Sequence, residues 1–142
     1  MLKKISKTED EWKEILSPEQ FKVMRLKKTE TPHSGKYDKI KDEGVYRCAA
    51  CRNILFCSRA KYDSGTGWPS FSEPFNDSHI ELGMHSPHGT EVMCVQCESH
   101  LGHVFDDGPE PTGKRYCINS VAMKLDRSTK SREDEEYYGT PA

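Results

Sequence analysis

Six cysteines carry most of the chemistry that this 142-residue chain can perform. Four form two C-x-x-C pairs, Cys48 with Cys51 and Cys94 with Cys97. A knuckle of that length aims two sulfurs at one ion, and two knuckles complete a tetrahedral shell of thiolates, the ligand set that suits zinc. With every position taken by a protein ligand, such a site is structural. Residues 52–93 separate the pairs, a wider gap than a free-standing zinc ribbon closes, so the metal must tie together distant parts of a larger domain. Cys57 and Cys117 remain. Either can be an inert packing residue, the usual fate of a free cysteine. Cys117, however, lies in Arg115-Tyr116-Cys117-Ile118-Asn119, and on a strand residues 115, 117 and 119 share a face. A guanidinium beside a thiol favours the reactive thiolate, and Asn119 offers a hydrogen bond. The bland alternative is an exposed strand face with an unreactive thiol. His100 and His103 supply imidazoles that can move a proton near neutral pH. Alone they read equally as polar surface or satisfied core residues. Ser64-Gly65-Thr66-Gly67-Trp68-Pro69-Ser70-Phe71 is a defined loop whose Trp68 and Phe71 can wall an apolar pocket.

These groups need elements to position them. Thr8-Glu9-Asp10-Glu11 and Ser17-Pro18-Glu19-Gln20 are capping boxes, the second with proline at the first helical position, and predict two short helices within about residues 8–28. Beyond the break at Thr31-Pro32-His33-Ser34-Gly35 the chain changes to short apolar runs between Gly and Pro: 45–48, 53–56, 79–82, 91–94, 115–119 and 121–125. That texture predicts an antiparallel, mainly β domain over residues 1–126. Residues 127–142, with Glu133-Asp134-Glu135-Glu136, read as a polar, flexible C-terminal tail.

Hydrophobic residues make up 34% and charged residues 31% of the chain, with mean hydropathy -0.84. So lean a core calls for a staple, and zinc can provide it. A net charge of -2 offers no long-range attraction to a polyanion, which argues against nucleic acid or an anionic membrane as partner. No apolar run suits a transmembrane helix, and the N-terminus lacks the apolar region of a signal peptide. A cytoplasmic protein with reduced or metal-bound cysteines is expected.

The ordered combination of motifs resembles the zinc-containing B-type methionine-R-sulfoxide reductases. The matching segments are Gly44-x-Tyr46-x-Cys48-x-x-Cys51, Leu55-Phe56, Lys61-Tyr62-Asp63-Ser64-Gly65-x-Gly67-Trp68-Pro69-Ser70-Phe71, Cys94-x-x-Cys97, His100-Leu101-Gly102-His103-Val104-Phe105-x-Asp107-Gly108-Pro109 and Arg115-Tyr116-Cys117-Ile118-Asn119-Ser120. The resemblance implies two antiparallel sheets in a β-tent, with short N-terminal helices and one structural zinc ion. It implies that Cys117 attacks the sulfur of methionine R-sulfoxide in oxidised proteins or peptides and becomes a sulfenic acid. His100 and His103 would handle the proton taken up by the sulfoxide oxygen. Arg115, Asn119 and, further out, Asp107 would support the site, and Trp68 would receive the S-methyl group. Many members carry a recycling cysteine between the two glycines of the tryptophan loop, where this chain has Thr66. Cys57 is then the one spare thiol that could resolve the sulfenic acid; otherwise thioredoxin or another external thiol reduces it directly. A monomer is expected. The rival readings are a zinc-stabilised β-tent binding module without catalysis and, less in keeping with the charge and spacing, a zinc-ribbon nucleic-acid binder.

Overall fold

In the computed structural model of the chain, residues 3–128 are described. Both capping boxes form. Helix α1, Glu9–Ile15, is capped by Thr8, whose side chain accepts from the Glu11 amide while the Glu11 carboxylate accepts from the Thr8 amide. Helix α2, Pro18–Met24, repeats the arrangement with Ser17 and Gln20. Seven residues are too few to hold a helix by themselves. Stability comes from the faces they bury: Trp12 and Leu16 from the first helix and its C-cap, Phe21, Val23 and Met24 from the second.

The rest is β structure in two antiparallel sheets. The smaller has the order β2-β1-β9, from β1 (Val45–Cys48), β2 (Ile54–Cys57) and β9 (Met123–Asp126). The larger has the order β3-β4-β8-β7-β6-β5, from β3 (Lys61–Tyr62), β4 (Ser70–Phe71), β5 (Ile80–Ser86), β6 (Gly89–Cys94), β7 (His100–Phe105) and β8 (Arg115–Ile118). Aromatic side chains fill the space between the sheets. Phe56 stacks on Phe71 at 4.4 Å, Tyr46 meets Phe71 edge-on at 5.1 Å, and Tyr116 lies 5.8 Å from Phe56. Offset and edge-on pairs of this kind add to the stabilisation from area burial.

This core decides which face of the large sheet is free. In β8 burial alternates, Tyr116 and Ile118 being buried and Arg115 and Cys117 only partly so. Since Tyr116 belongs to the inter-sheet core, Cys117 and Arg115 point to the opposite face.

Three strands were not foreseen in the apolar pattern. β3 and β4 have two residues each, too few to leave a period. β7 contains two histidines and a glycine, and its neighbours β6 and β8 make it a strand by pairing along both edges. Gly102 is needed there because a Cβ at that position would lie 2.1 Å from the carbonyl oxygen of Cys117 on β8. The expected strand over 121–125 begins at Met123, after a 3-10 turn over Ser120–Ala122. The expected tail lies outside the described residues apart from Arg127 and Ser128. No helix among the described residues is long and apolar enough to cross a membrane.

Candidate active site

Strand register assembles a row of functional groups. Cys117 on β8 is opposite His103 on β7 and Ser70 on β4, and His103 is in turn opposite Glu91 on β6. Directly opposed residues share a face, with Cβ atoms about 4.5–5.5 Å apart. The row Ser70–Cys117–His103–Glu91 therefore crosses four strands on the face turned away from the aromatic core. Above it opens a cleft of about 460 Å³ whose walls include Trp68, His103, Phe105, Cys117, Asn119 and Thr29. A larger cavity, about 1030 Å³, lies near α2 and β9 and contains none of the expected catalytic groups.

His100 joins the row through an irregularity. The β6–β7 register shifts between Val92, opposite Gly102, and Met93, opposite His100. The extra residue, Leu101, reverses the alternation and turns His100 to the face of His103. The two rings meet edge to face with centroids 5.3 Å apart. His100 is almost fully buried, and its Nδ1 lies 2.8 Å from Glu91 Oε2. Lys27 donates to the other Glu91 oxygen at 3.3 Å. Burial opposes ionisation of Glu91, but the hydrogen bonds from His100 and Lys27 hold its carboxyl below the ordinary range. His103 is pushed below the usual imidazole value by burial and by the charge of His100, against the opposite pull of Glu91.

Arg115 acts on Cys117 in the expected direction, favouring the thiolate, but burial is the larger influence. Burial pushes the thiol above its ordinary range; the Thr66 hydrogen bond and the Arg115 guanidinium act downward without offsetting it, and Glu30 adds to the rise. Much of the Arg115 charge is spent elsewhere. Its Nε and Nη2 donate to the two Asp107 oxygens at 2.8 and 3.1 Å, and its guanidinium lies 4.3 Å from the Phe105 ring centroid. Asp107 is largely exposed and holds Arg115 in place from outside.

Asn119 is buried and committed on both sides. Its Nδ2 donates to the Leu101 carbonyl at 2.9 Å, and its Oδ1 accepts from the Glu30 amide at 3.0 Å. Trp68 is fixed by the same segment, its Nε1 donating to the Glu30 carbonyl at 3.0 Å. The loop bends there at Gly67, whose φ of 95° favours glycine and whose carbonyl accepts from the His33 amide at 2.7 Å. Phe71, expected beside Trp68 in a pocket wall, is instead fully buried in the inter-sheet core. Thr66 is drawn into a hydroxyl chain in which Ser64 Oγ lies 2.9 Å from Thr66 Oγ1 and 2.7 Å from Ser70 Oγ.

Cys117, His103, Asn119 and Trp68 thus converge on the cleft, with His100 behind them and Arg115 and Asp107 at the side. Cys57 is elsewhere, buried on β2 of the small sheet opposite Val45. Two groups escaped the sequence reading. Glu91 sits in a foreseen strand, but its closeness to both histidines depends on register and bulge. Glu30, in an irregular stretch, holds Trp68 and Asn119 through its backbone and receives the Val121 amide on Oε1.

The other cysteine group matches its expectation. The sulfurs of Cys48, Cys51, Cys94 and Cys97 all lie within 4.8 Å of one another, with 3.6 Å between Cys48 and Cys97 and 3.5 Å between Cys51 and Cys94. A tetrahedral ion with zinc–sulfur bonds of about 2.3 Å requires sulfurs about 3.8 Å apart. The two knuckles have the same construction. The first cysteine of each accepts from the residue after the second, Arg52 or Glu98, both of which have positive φ, and donates to the next carbonyl, Asn53 or Ser99. The donor set and geometry fit a closed metal site joining β1 to β6.

The SelR domain family matches residues 16–127, a span that contains every group described in the cleft and both knuckles. The chain is 55% identical over 125 residues to the peptide methionine sulfoxide reductase MsrB of Pseudomonas syringae pv. syringae, covering 86% of this chain and 95% of that protein. It is 53% identical over 126 residues to the MsrB of Bradyrhizobium diazoefficiens, covering 87% and 91%. The chain belongs to the SelR-domain family of peptide methionine sulfoxide reductases. The reductase keeps its cleft within the matched span, whereas α1 lies before it.

Proposed function

We propose that the chain reduces the R epimer of methionine sulfoxide in oxidised proteins and peptides, with Cys117 as nucleophile and His103 as proton carrier. The observation that carries this reading is the direct opposition of Cys117 and His103 across β7 and β8 in a cleft walled by Trp68. A sulfoxide oxygen leaves sulfur readily only once protonated. The raised Cys117 thiol and the lowered His103 imidazole are both neutral at rest, so the site holds one transferable proton. Cys117 passes it to His103, and the thiolate attacks the sulfoxide sulfur. His103 then returns the proton to the oxygen. Oxygen ends on Cys117 as a sulfenic acid, and the substrate leaves as a thioether. The indole of Trp68 receives the S-methyl group and so selects one configuration at sulfur. Asn119 braces the strand end, and Arg115, held by Asp107, draws the sulfur toward the thiolate.

In the reading we favour, regeneration is external. One thiol, of thioredoxin or another dithiol reductant, forms a mixed disulfide with Cys117 and releases water; a second thiol restores Cys117. Two observations support this: Thr66 occupies the loop position beside the sulfur, and Cys57 belongs to the other sheet. Zinc, held by Cys48, Cys51, Cys94 and Cys97, supplies a structural crosslink and takes no part in the redox step. Monomeric, cytoplasmic action in protein repair completes the proposal.

Cys117→Ser is expected to abolish turnover of the R sulfoxide while leaving zinc content and circular dichroism unchanged; substantial remaining activity overturns the assignment. Mass spectrometry after one equivalent of substrate separates the two routes of regeneration. A sulfenic acid that persists equally in wild type and Cys57→Ser supports the external route, and a Cys57–Cys117 disulfide refutes it.

A further inference from the structure

Glu91 is a partly buried carboxylate for which the chemistry above has no use, yet both its oxygens are engaged at the end of the row that crosses the site. It is opposite His103 in strand register, receives Nδ1 of His100 at 2.8 Å and is clamped from the other side by Lys27 at 3.3 Å. An ionised carboxylate can only accept, so Nδ1 of His100 carries a hydrogen, and in the neutral ring Nε2 is then the acceptor. That Nε2 is buried and has no hydrogen-bond partner, on a ring packed edge to face against His103. A buried acceptor without a donor is costly unless a donor arrives during function.

We propose that Glu91 is a positioning residue: it locks His100 in the Nδ1–H tautomer, so that the free Nε2 lone pair receives the N–H of His103 when His103 carries the proton between Cys117 and the sulfoxide oxygen. The β7 bulge at Leu101 is the structural device that makes this possible, because without it His100 would face the opposite side of the sheet from Glu91. The arrangement follows the general logic of a proton-carrying imidazole steadied by an oriented acceptor. The charge of Glu91 acts on His103 in the sense required, favouring its protonated form against the effect of burial. Lys27 keeps the carboxylate from turning away and ties the sheet to the segment that carries Thr29 and Glu30 to the cleft.

This role rests on the proton path proposed above, so the test has one arm that needs no turnover. In the zinc-loaded full chain with ¹⁵N-labelled histidine, the His100 ring is expected to show the Nδ1–H tautomer in wild type and Glu91→Gln, whose amide oxygen still accepts, and to lose it in Glu91→Ala. In single-turnover measurements of sulfenic acid formation, Glu91→Ala is expected to be slowed about tenfold to a hundredfold, with half-saturation by sulfoxide unchanged. Glu91→Gln should recover most of that loss. An Nε2–H tautomer in wild type overturns the proposal whatever the activity. So does an unslowed Glu91→Ala, or a Glu91→Gln that keeps the tautomer and is as slow as Glu91→Ala. Failure of the Cys117 assignment would instead appear as activity retained in Cys117→Ser.

Discussion

Cys117 is reached by solvent through a cleft, yet its surroundings hold it as a thiol rather than a thiolate. Burial outweighs the contributions of Thr66 and Arg115, and Arg115 divides its charge with Asp107. The sign of the pH dependence follows. Only the deprotonated sulfur alkylates, and its population grows with pH, so the iodoacetamide rate at Cys117, read by mass spectrometry, should still be rising above about pH 8.5, where a free cysteine begins to level off. Arg115→Ala removes a stabilising charge and should move the profile further up. A rate already at plateau near pH 7 would contradict the neutral resting pair from which the proton inventory starts. The same balance explains why the thiol needs its neighbour across the strand pair: the proton that blocks attack is the one the sulfoxide oxygen must receive.

At the level of elements, the site is a product of strand pairing. β8 brings Cys117 between β4 and β7, and the bulge in β7 adds His100 to a face that strict alternation would deny it. Gly102 lies at the closest approach, and any side chain there meets the backbone of Cys117. Gly102→Ala must therefore push β7 from β8 and widen the gap between His103 and Cys117. Overpacking of this kind costs about 3 kcal/mol. The expected result is a lower denaturation midpoint together with a loss of sulfoxide turnover larger than the stability change explains, measured at a temperature where the variant remains folded. Unchanged turnover would show that the β7–β8 spacing does not set the rate. The helices make a different contribution. Arg25, at the C-cap of α2, stacks on Trp12 at 4.8 Å and donates to the Cys97 carbonyl at 2.8 Å and to Ser99 Oγ at 3.1 Å, so the helical layer is fastened to the second knuckle.

The whole molecule joins two sheets through an aromatic core and a cluster of four cysteines positioned to bind a metal ion, and an ion held there would crosslink the sheets. Structural zinc binding contributes roughly 10–16 kcal/mol in small peptides, as much as the entire stability of a typical domain, about 5–15 kcal/mol. Removing the metal with a strong chelator, or substituting Cys48→Ser, should collapse the thermal transition and release the ion in step with loss of β signal by circular dichroism; a chelated protein with an unaltered transition would refute a structural role. Much of this is legible in the amino-acid sequence. The capping boxes, the two C-x-x-C pairs and the alternation around Cys117 are local patterns, and local patterns follow from hydrogen-bond geometry and side-chain periodicity over a few residues. Trp68 on its loop and the histidines of the His-x-x-His segment were legible as candidates for the same reason. The pairing of Cys117 with His103, the reversal of His100 at the bulge, the capture of His100 by Glu91 and the burial of Phe71 could not be read this way. Nor could the balance that keeps Cys117 protonated. Each depends on which strands lie side by side, in what register, and how deeply the sheet face is covered, quantities set by contacts between residues far apart in sequence. Residue types and short-range periodicity define the chemical groups and how each is presented; strand pairing and burial define which of them meet and what protonation state results.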